Sequence, residues 1–191
     1  MWEPWQFALA ALALLLTPGP TNTLLGTGGA LAGARRALPL VAAELLGYIC
    51  AISALQLLVG PLYEQLGQLR FGLRLISAVY LAFLAFHLWG RGQPAETRTI
   101  TFAKVFTATL VNPKAMVFAF IIIPCSWNDP RFGLYAAILA GLIAGAGTAW
   151  VLAGGLLYRN GGQRAAKIVR RVSSLAMASF SAIVLTGVAI R

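Results

Sequence analysis

No charged residue occurs between Glu3 and Arg35, and apolar stretches of similar length recur along the rest of the chain. A helix needs roughly 20 mostly apolar residues to cross the hydrocarbon core of a bilayer. With 59% hydrophobic and 10% charged residues, the 191-residue chain has the composition of a membrane protein. We predict one all-α integral membrane domain with six transmembrane helices, near residues 5–33, 38–60, 72–90, 103–124, 132–158 and 170–190.

The basic residues outside these stretches predict how the chain crosses the membrane. Cytoplasmic loops carry an excess of lysine and arginine. Ten basic residues follow the first, third and fifth stretches, and four lie on the opposite side: Arg35, Arg36, Arg91, Arg98, Lys104, Arg159, Arg164, Lys167, Arg170 and Arg171, against Arg70, Arg74, Arg131 and Arg191. We therefore expect both termini outside. Because the charges are spread over helix ends, the net charge of +10 indicates contacts with anionic membrane lipid and not with nucleic acid.

Two of the predicted spans are interrupted by proline. The first contains "TPGPTNTLL" at residues 17–25, and the fourth contains "TLVNPKAMVFAF" at residues 109–120. Proline leaves backbone groups that lipid cannot satisfy, so these breaks must face protein or a water-filled cavity. Three spans in each half predict two inverted halves, at about 1–92 and 99–191. Broken helices at corresponding positions of inverted halves indicate the binding site of a transporter.

The breaks also predict which chemical groups would bind there. Asn112 and Pro113 have the residue types of a helix N-cap and first helical position, and the first span offers such types in Thr17-Pro18 and Thr21-Asn22. Two helix starts meeting at the midplane would favour a carboxylate, and the free carbonyls that precede them would favour an ammonium group. A zwitterionic amino acid presents both groups. The alternative is that both kinks serve packing alone.

Two ionisable residues fall inside predicted spans. An isolated charge at a helix centre costs about 2.5–3.5 kcal/mol, so Lys114 and Glu44 each require a partner or a hydrated cavity. Glu44 lies about six residues into the second predicted helix, roughly 9 Å from its cytoplasmic end, with Tyr48 one turn later on the same face. Glu44 could bind a cationic side chain, carry a proton, or form a structural hydrogen bond. Lys114 is one candidate partner.

Three segments taken in order resemble the LysE/RhtB-type amino-acid exporters: "TPGPTNTLL", "GARRALPL" and "TLVNPKAMVFAF". The resemblance implies a multi-pass protein of the bacterial inner membrane that exports amino acids or their derivatives in exchange for protons. It further implies a substrate pocket formed by Pro18, Gly19, Pro20, Asn22, Asn112, Pro113 and Lys114. Glu44 departs from the common pattern of the family, in which many members place glycines or an aspartate in the second helix, so the substrate stays open.

The sequence also bears on other functions. It shows no motif for a nucleophile, a metal cluster or a phosphate loop, which predicts a protein without catalytic activity, metal or cofactor. The alternatives are a transporter of another small metabolite or ion, and a membrane-embedded redox or scaffold protein. Cys50 and Cys125 stand singly in apolar helices and are predicted to be packing residues. Gly141 and Gly145 have the spacing of a close helix contact, within one chain or between two copies of a homo-oligomer.

Overall fold

The computed structural model describes residues 3–17, 19–58, 99–123, 125 and 128–160, with single residues between 72 and 86 and between 171 and 182. Its helices are α1 (Pro4–Leu16), α2 (Pro20–Ala32), α3 (Ala34–Leu58), α4 (Phe102–Leu110), α5 (Pro113–Val117) and α6 (Phe132–Asn160). A π-helical turn, Phe118–Ile122, continues α5 directly. The described residues contain no strand, so the predicted all-α class is confirmed for this part of the chain.

Two helices are long and apolar enough to cross a membrane alone: α3, and residues Phe132–Leu156 of α6, each with a mean hydropathy of 1.9. Two further spans arise if each bent helix pair crosses as one unit. The axes of α1 and α2 differ by more than 40°, and α4 is bent by 45° from α5 and its π turn. The chain is therefore a membrane protein with two to four candidate spans among its described residues.

These spans match the first, second, fourth and fifth predicted stretches, with ends that differ by at most four residues. The third and sixth predicted stretches, 72–90 and 170–190, lie outside the described ranges. The count of six helices and the inverted halves at 1–92 and 99–191 therefore stay predictions.

The boundary between α2 and α3 is sharper than predicted. Gly33 ends α2 with a φ of 80°, a conformation that glycine adopts without the steric penalty of a side chain. The next residue already belongs to α3, which starts at Ala34 and not near residue 38. Glu44 consequently lies ten residues after the start of its helix, about 15 Å along the axis, and not six residues or 9 Å.

Helices α2 and α6 pack with their backbones in direct contact. A Cβ atom added to Gly29 would lie 2.0 Å from the Val151 carbonyl oxygen, and one added to Gly154 would lie 1.9 Å from the Gly26 oxygen. Only glycine permits this approach, which is typical of helix association in membranes. The close helix contact predicted at Gly141 and Gly145 is not formed among the described residues, because both positions face open space there. A contact at these glycines between two copies of the chain stays a prediction.

The buried apolar residues form two clusters with a polar layer between them. One cluster includes Phe7 of α1 and Tyr135 of α6, whose rings meet edge to face with centroids 5.0 Å apart. The other cluster includes Leu25, Val41 and Val151. Along α3 the second cluster ends at Ala43 and the first begins at Tyr48, so Glu44 falls between them. The fold thus places its buried polar groups in one layer.

Helix α6 starts at an ion pair outside the membrane-spanning segments. The Asp129 carboxylate accepts hydrogen bonds from the backbone N–H of Arg131 at 2.9 Å and from its Nη2 at 2.7 Å. The side-chain hydrogen bonds from Arg131 lower the pKa of Asp129 to about 2. The carboxylate therefore stays ionised above that pH, and this turn is insensitive to pH in the physiological range.

Candidate functional site

The break between α1 and α2 is closed by an asparagine side chain. The amide nitrogen of Asn22, in the first turn of α2, donates to the carbonyl oxygens of Leu15 at 2.7 Å and Thr17 at 3.0 Å. These carbonyls end α1 and would otherwise lack partners in an apolar environment. Asn22 is 3% exposed, so the whole arrangement is shielded from lipid.

The N-cap predicted for this break is wrong. Neither Thr17 nor Thr21 caps α2; the N-cap is Gly19, and Pro20 occupies the first helical position. The Thr17 hydroxyl instead donates to the Ala13 carbonyl at 2.7 Å, within its own helix. Asn22 is already inside α2, which leaves its amide free to reach back to α1. Pro18 lies outside the described residues.

The second break has the predicted cap. The side-chain oxygen of Asn112 accepts a hydrogen bond from the backbone N–H of Lys114 at 3.1 Å, and Pro113 is the first residue of α5. The amide nitrogen of Asn112 donates to the Thr21 hydroxyl at 3.0 Å. It also reaches the Tyr48 hydroxyl at 3.5 Å. The starts of α2 and α5 therefore meet at one place, beside α3.

Lys114 extends from α5 to the end of α1. Its side chain is 1% exposed, and its ammonium group donates to the carbonyl oxygen of Thr17. This oxygen then accepts two hydrogen bonds, from Lys114 and from Asn22. A carbonyl oxygen has two lone pairs, so its capacity is filled. The sequence predicted that this carbonyl would favour an ammonium group, and in the structure a lysine of the same chain provides one.

One carboxylate oxygen of Glu44 is buried without a hydrogen-bond donor among the described residues. The residue is 1% exposed, and its Oε2 atom has no hydrogen-bond partner among the described residues. This oxygen faces α6 at Gly147, where an added Cβ would lie 2.5 Å from it. Glu44 interacts electrostatically with Lys114, its predicted candidate partner. The described residues nevertheless contain no ion pair between these two side chains.

The remaining polar residues of the layer have hydrogen bonds. The Thr109 hydroxyl lies 2.8 Å from the Val105 carbonyl and 3.3 Å from the Thr21 hydroxyl. Tyr48 packs its ring edge to face against Phe118, with centroids 5.6 Å apart. The unmet capacity of the described layer therefore belongs to Glu44 and to Lys114, whose ammonium group uses one acceptor although it carries three N–H bonds.

The geometry adds to the predicted role of the helix starts. The two starts lie together, and α5 with its π turn runs from Pro113 to Ile122. Each start adds a partial positive charge from its free N–H groups. The full charges of the described site come from Lys114 and Glu44. Within the π turn, the Ala119 carbonyl accepts a hydrogen bond from the Gln56 amide at 3.0 Å, which holds the turn against α3.

Sequence reasoning assigned Thr21 another role and missed Thr109 and Gly147. The sequence offers Thr21 as an N-cap, whereas in the structure its hydroxyl links the two breaks. Thr109 precedes Asn112 by one helical turn in an apolar stretch, which is a usable signal. Gly147 follows Gly145 closely, but nothing in the sequence distinguishes the glycine that contacts Glu44 from its neighbours.

The other predicted features lie apart from the layer. Cys50 is exposed on α3, so its predicted packing role is wrong. Cys125 follows the π turn outside any described helix, but it packs, partly buried, against the cluster that contains Phe7 and Tyr135. Among the described residues, no three histidine, cysteine or acidic side chains form a group that could hold a metal ion.

Comparison of the chain with protein-family models, curated protein sequences and solved structures gives no match. The resemblance to LysE/RhtB-type exporters therefore stays a prediction. The function of the chain is inferred from the residues of the site.

Proposed function

We propose that this chain is a secondary transporter that exports amino acids or their derivatives across the bacterial inner membrane in exchange for protons. The observation that carries the proposal is a buried acid and a buried base, Glu44 and Lys114. Both lie in the polar layer where the two broken helices meet. Ionisable residues at such depth are costly, and in membrane proteins they mark pathways for substrates or ions.

The exchange follows from the carboxylate. Oε2 of Glu44 accepts no hydrogen bond from the described residues, so a proton or the ammonium group of a substrate can bind there, and each excludes the other. A proton entering from outside would displace the substrate ammonium group at Glu44, and a new substrate from the cytoplasm would displace the proton. A unit charge that crosses the membrane gains about 2.3 kcal/mol per 100 mV, which is enough to drive an appreciable gradient.

Among the alternatives, transport of another small metabolite or ion would use the same layer. The redox alternative finds no support in the cysteines, because Cys50 is exposed on α3 and Cys125 lies beyond the π turn, and both are free. Replacement of both by alanine is expected to leave transport unchanged. Loss of transport in that double variant would favour the redox alternative.

The proposal is tested with purified protein in vesicles loaded with a panel of radiolabelled amino acids. We expect an imposed pH gradient to drive uphill movement of at least one of them. Glu44→Gln should abolish the uphill movement and leave slow downhill exchange. Glutamine has nearly the same size and shape as glutamate, but its amide group does not bind and release a proton. The measurement is the accumulation ratio with and without the gradient.

Glu3→Gln is the matched control, since Glu3 is exposed at the start of α1. It should transport like the unaltered protein. Uphill transport by the Glu44→Gln variant would remove Glu44 as the coupling residue. Movement of no amino acid above that in protein-free vesicles would overturn the proposed function.

A further inference from the structure

The polar layer contains one negative and one positive side chain, and the hydrogen bonds around them limit what else can enter. Glu44 and Lys114 are the buried charged residues among those described. Their charges sum to zero. Asn22 and Asn112 are engaged with the ends of the broken helices. A ligand in this layer therefore meets one free carboxylate oxygen and the unused N–H bonds of one ammonium group.

The position of Lys114 decides which ligand charges can be accommodated. Its ammonium group already occupies the Thr17 carbonyl, together with the Asn22 amide, and so fills the acceptor that a ligand cation would otherwise use. A ligand with one ammonium group can place it at Glu44. A second cationic group would find no second carboxylate among the described residues of the layer and would face the charge of Lys114.

The same reasoning applies to anions. The unused N–H bonds of Lys114 can bind one carboxylate, but a second carboxylate would have only Glu44 beside it, and two like charges that are buried together repel strongly. Thr21 and Tyr48 offer hydroxyl groups and no charge.

We propose that the site selects amino acids of zero net charge, with Lys114 binding the substrate carboxylate and Glu44 its ammonium group. This inference rests on the proposed function and specifies its substrate class. It also assigns the proton and the substrate ammonium group to the same carboxylate, which makes their exchange obligatory.

The test compares substrates that differ mainly in side-chain charge. Norleucine and lysine share the same unbranched carbon chain, and lysine carries an ammonium group at its end; glutamine and glutamate form the acidic pair. We expect the unaltered protein in vesicles to exchange norleucine and glutamine at least about tenfold faster than lysine and glutamate. A factor of ten corresponds to about 1.4 kcal/mol of discrimination.

Lys114→Met should reduce the preference for norleucine over lysine to less than about threefold, because the repelling charge is gone and the Thr17 carbonyl regains a free lone pair. Lys104→Met is the matched control, since Lys104 lies in the first turn of α4, away from the layer. It should keep the preference of the unaltered protein.

Lysine or glutamate exchanged as fast as its neutral counterpart by the unaltered protein would overturn the charge selection while leaving amino-acid transport intact. Exchange of none of the four, nor of any other amino acid, would overturn the proposed function and the inference with it. The comparison in the unaltered protein decides the matter if Lys114→Met fails to reach the membrane.

Discussion

At the residue scale, the buried charged side chains of Glu44 and Lys114 differ in their hydrogen-bond partners. An ionisable side chain inside an apolar layer must find a hydrogen-bond partner, a counter-charge or water. Lys114 has a backbone carbonyl that a helix break made available. One carboxylate oxygen of Glu44 lies against Gly147 of α6, which presents no side chain to it, and has no hydrogen-bond partner among the described residues. The acid is therefore the group with an unpaired oxygen for a proton or ligand.

This difference predicts a role for Gly147 in positioning the carboxylate. In Gly147→Ala the new methyl group would lie 2.5 Å from Oε2 of Glu44, so the carboxylate must move. Displacement of a positioned group by about 1 Å can cost up to about 10²-fold in rate. We expect at least about tenfold slower amino-acid exchange, measured in vesicles, with membrane expression close to normal.

Gly145→Ala is the control for this prediction, because Gly145 lies on the same helix and faces open space. It should exchange amino acids at the normal rate. Normal exchange by Gly147→Ala would show that the position of the Glu44 carboxylate does not matter for transport, and equal loss of expression and exchange would show that Gly147 serves folding alone.

At the scale of the helices, the two breaks use the same type of residue from different positions. In each, an asparagine satisfies backbone groups that proline or the bend leaves unpaired. Asn112 does so from the N-cap, and Asn22 does so from within α2 by reaching back to α1. The Asn112 cap follows from the local sequence "NP". The action of Asn22 does not, because it depends on the angle between two helices.

The seam between α2 and α6 yields a prediction at the same scale. A methyl group at Gly29 would overlap the Val151 carbonyl, and one at Gly154 would overlap that of Gly26, so the two helices would have to separate. Overpacking of this kind costs typically about 1–3 kcal/mol. We expect Gly29→Ala and Gly154→Ala to lower the melting temperature of the protein in detergent. The measurement is the fraction of folded protein that size-exclusion chromatography recovers after heating.

Gly141→Ala provides the comparison for the seam, since its added methyl group meets no neighbour. Its free energy of unfolding should change by no more than that of an ordinary surface variant, about 0.5 kcal/mol. Its melting temperature should therefore stay close to that of the unaltered protein. If all three variants melt alike, the close approach of α2 and α6 does not contribute to stability.

At the scale of the whole molecule, the sequence predicted the helical class and the positions of four candidate spans in the described part of the chain, because both follow from apolar length and proline placement. It also predicted that the two breaks hold polar groups. It could not predict that Gly33 would start α3 early, or that Gly26, Gly29 and Gly154 rather than Gly141 would form the seam. Those features depend on which helices become neighbours, and periodicity within one helix carries no such information.

The number of crossings can be tested from two described positions. Ala32 ends α2 and Asn128 precedes α6, and both are exposed. Three predicted spans separate them: α3, the stretch at 72–90, and α4 with α5. An odd number of crossings places Ala32 and Asn128 on opposite sides, and the excess of lysine and arginine after the first span places Ala32 in the cytoplasm.

We expect a cysteine at position 128 to react with a membrane-impermeant maleimide in intact cells, and one at position 32 only after permeabilisation, both in a background of Cys50→Ala and Cys125→Ala. Labelling of both from one side would mean that 72–90 or the bent pair does not cross, which would exclude three spans per half. Reversed labelling would keep the crossings and invert the orientation.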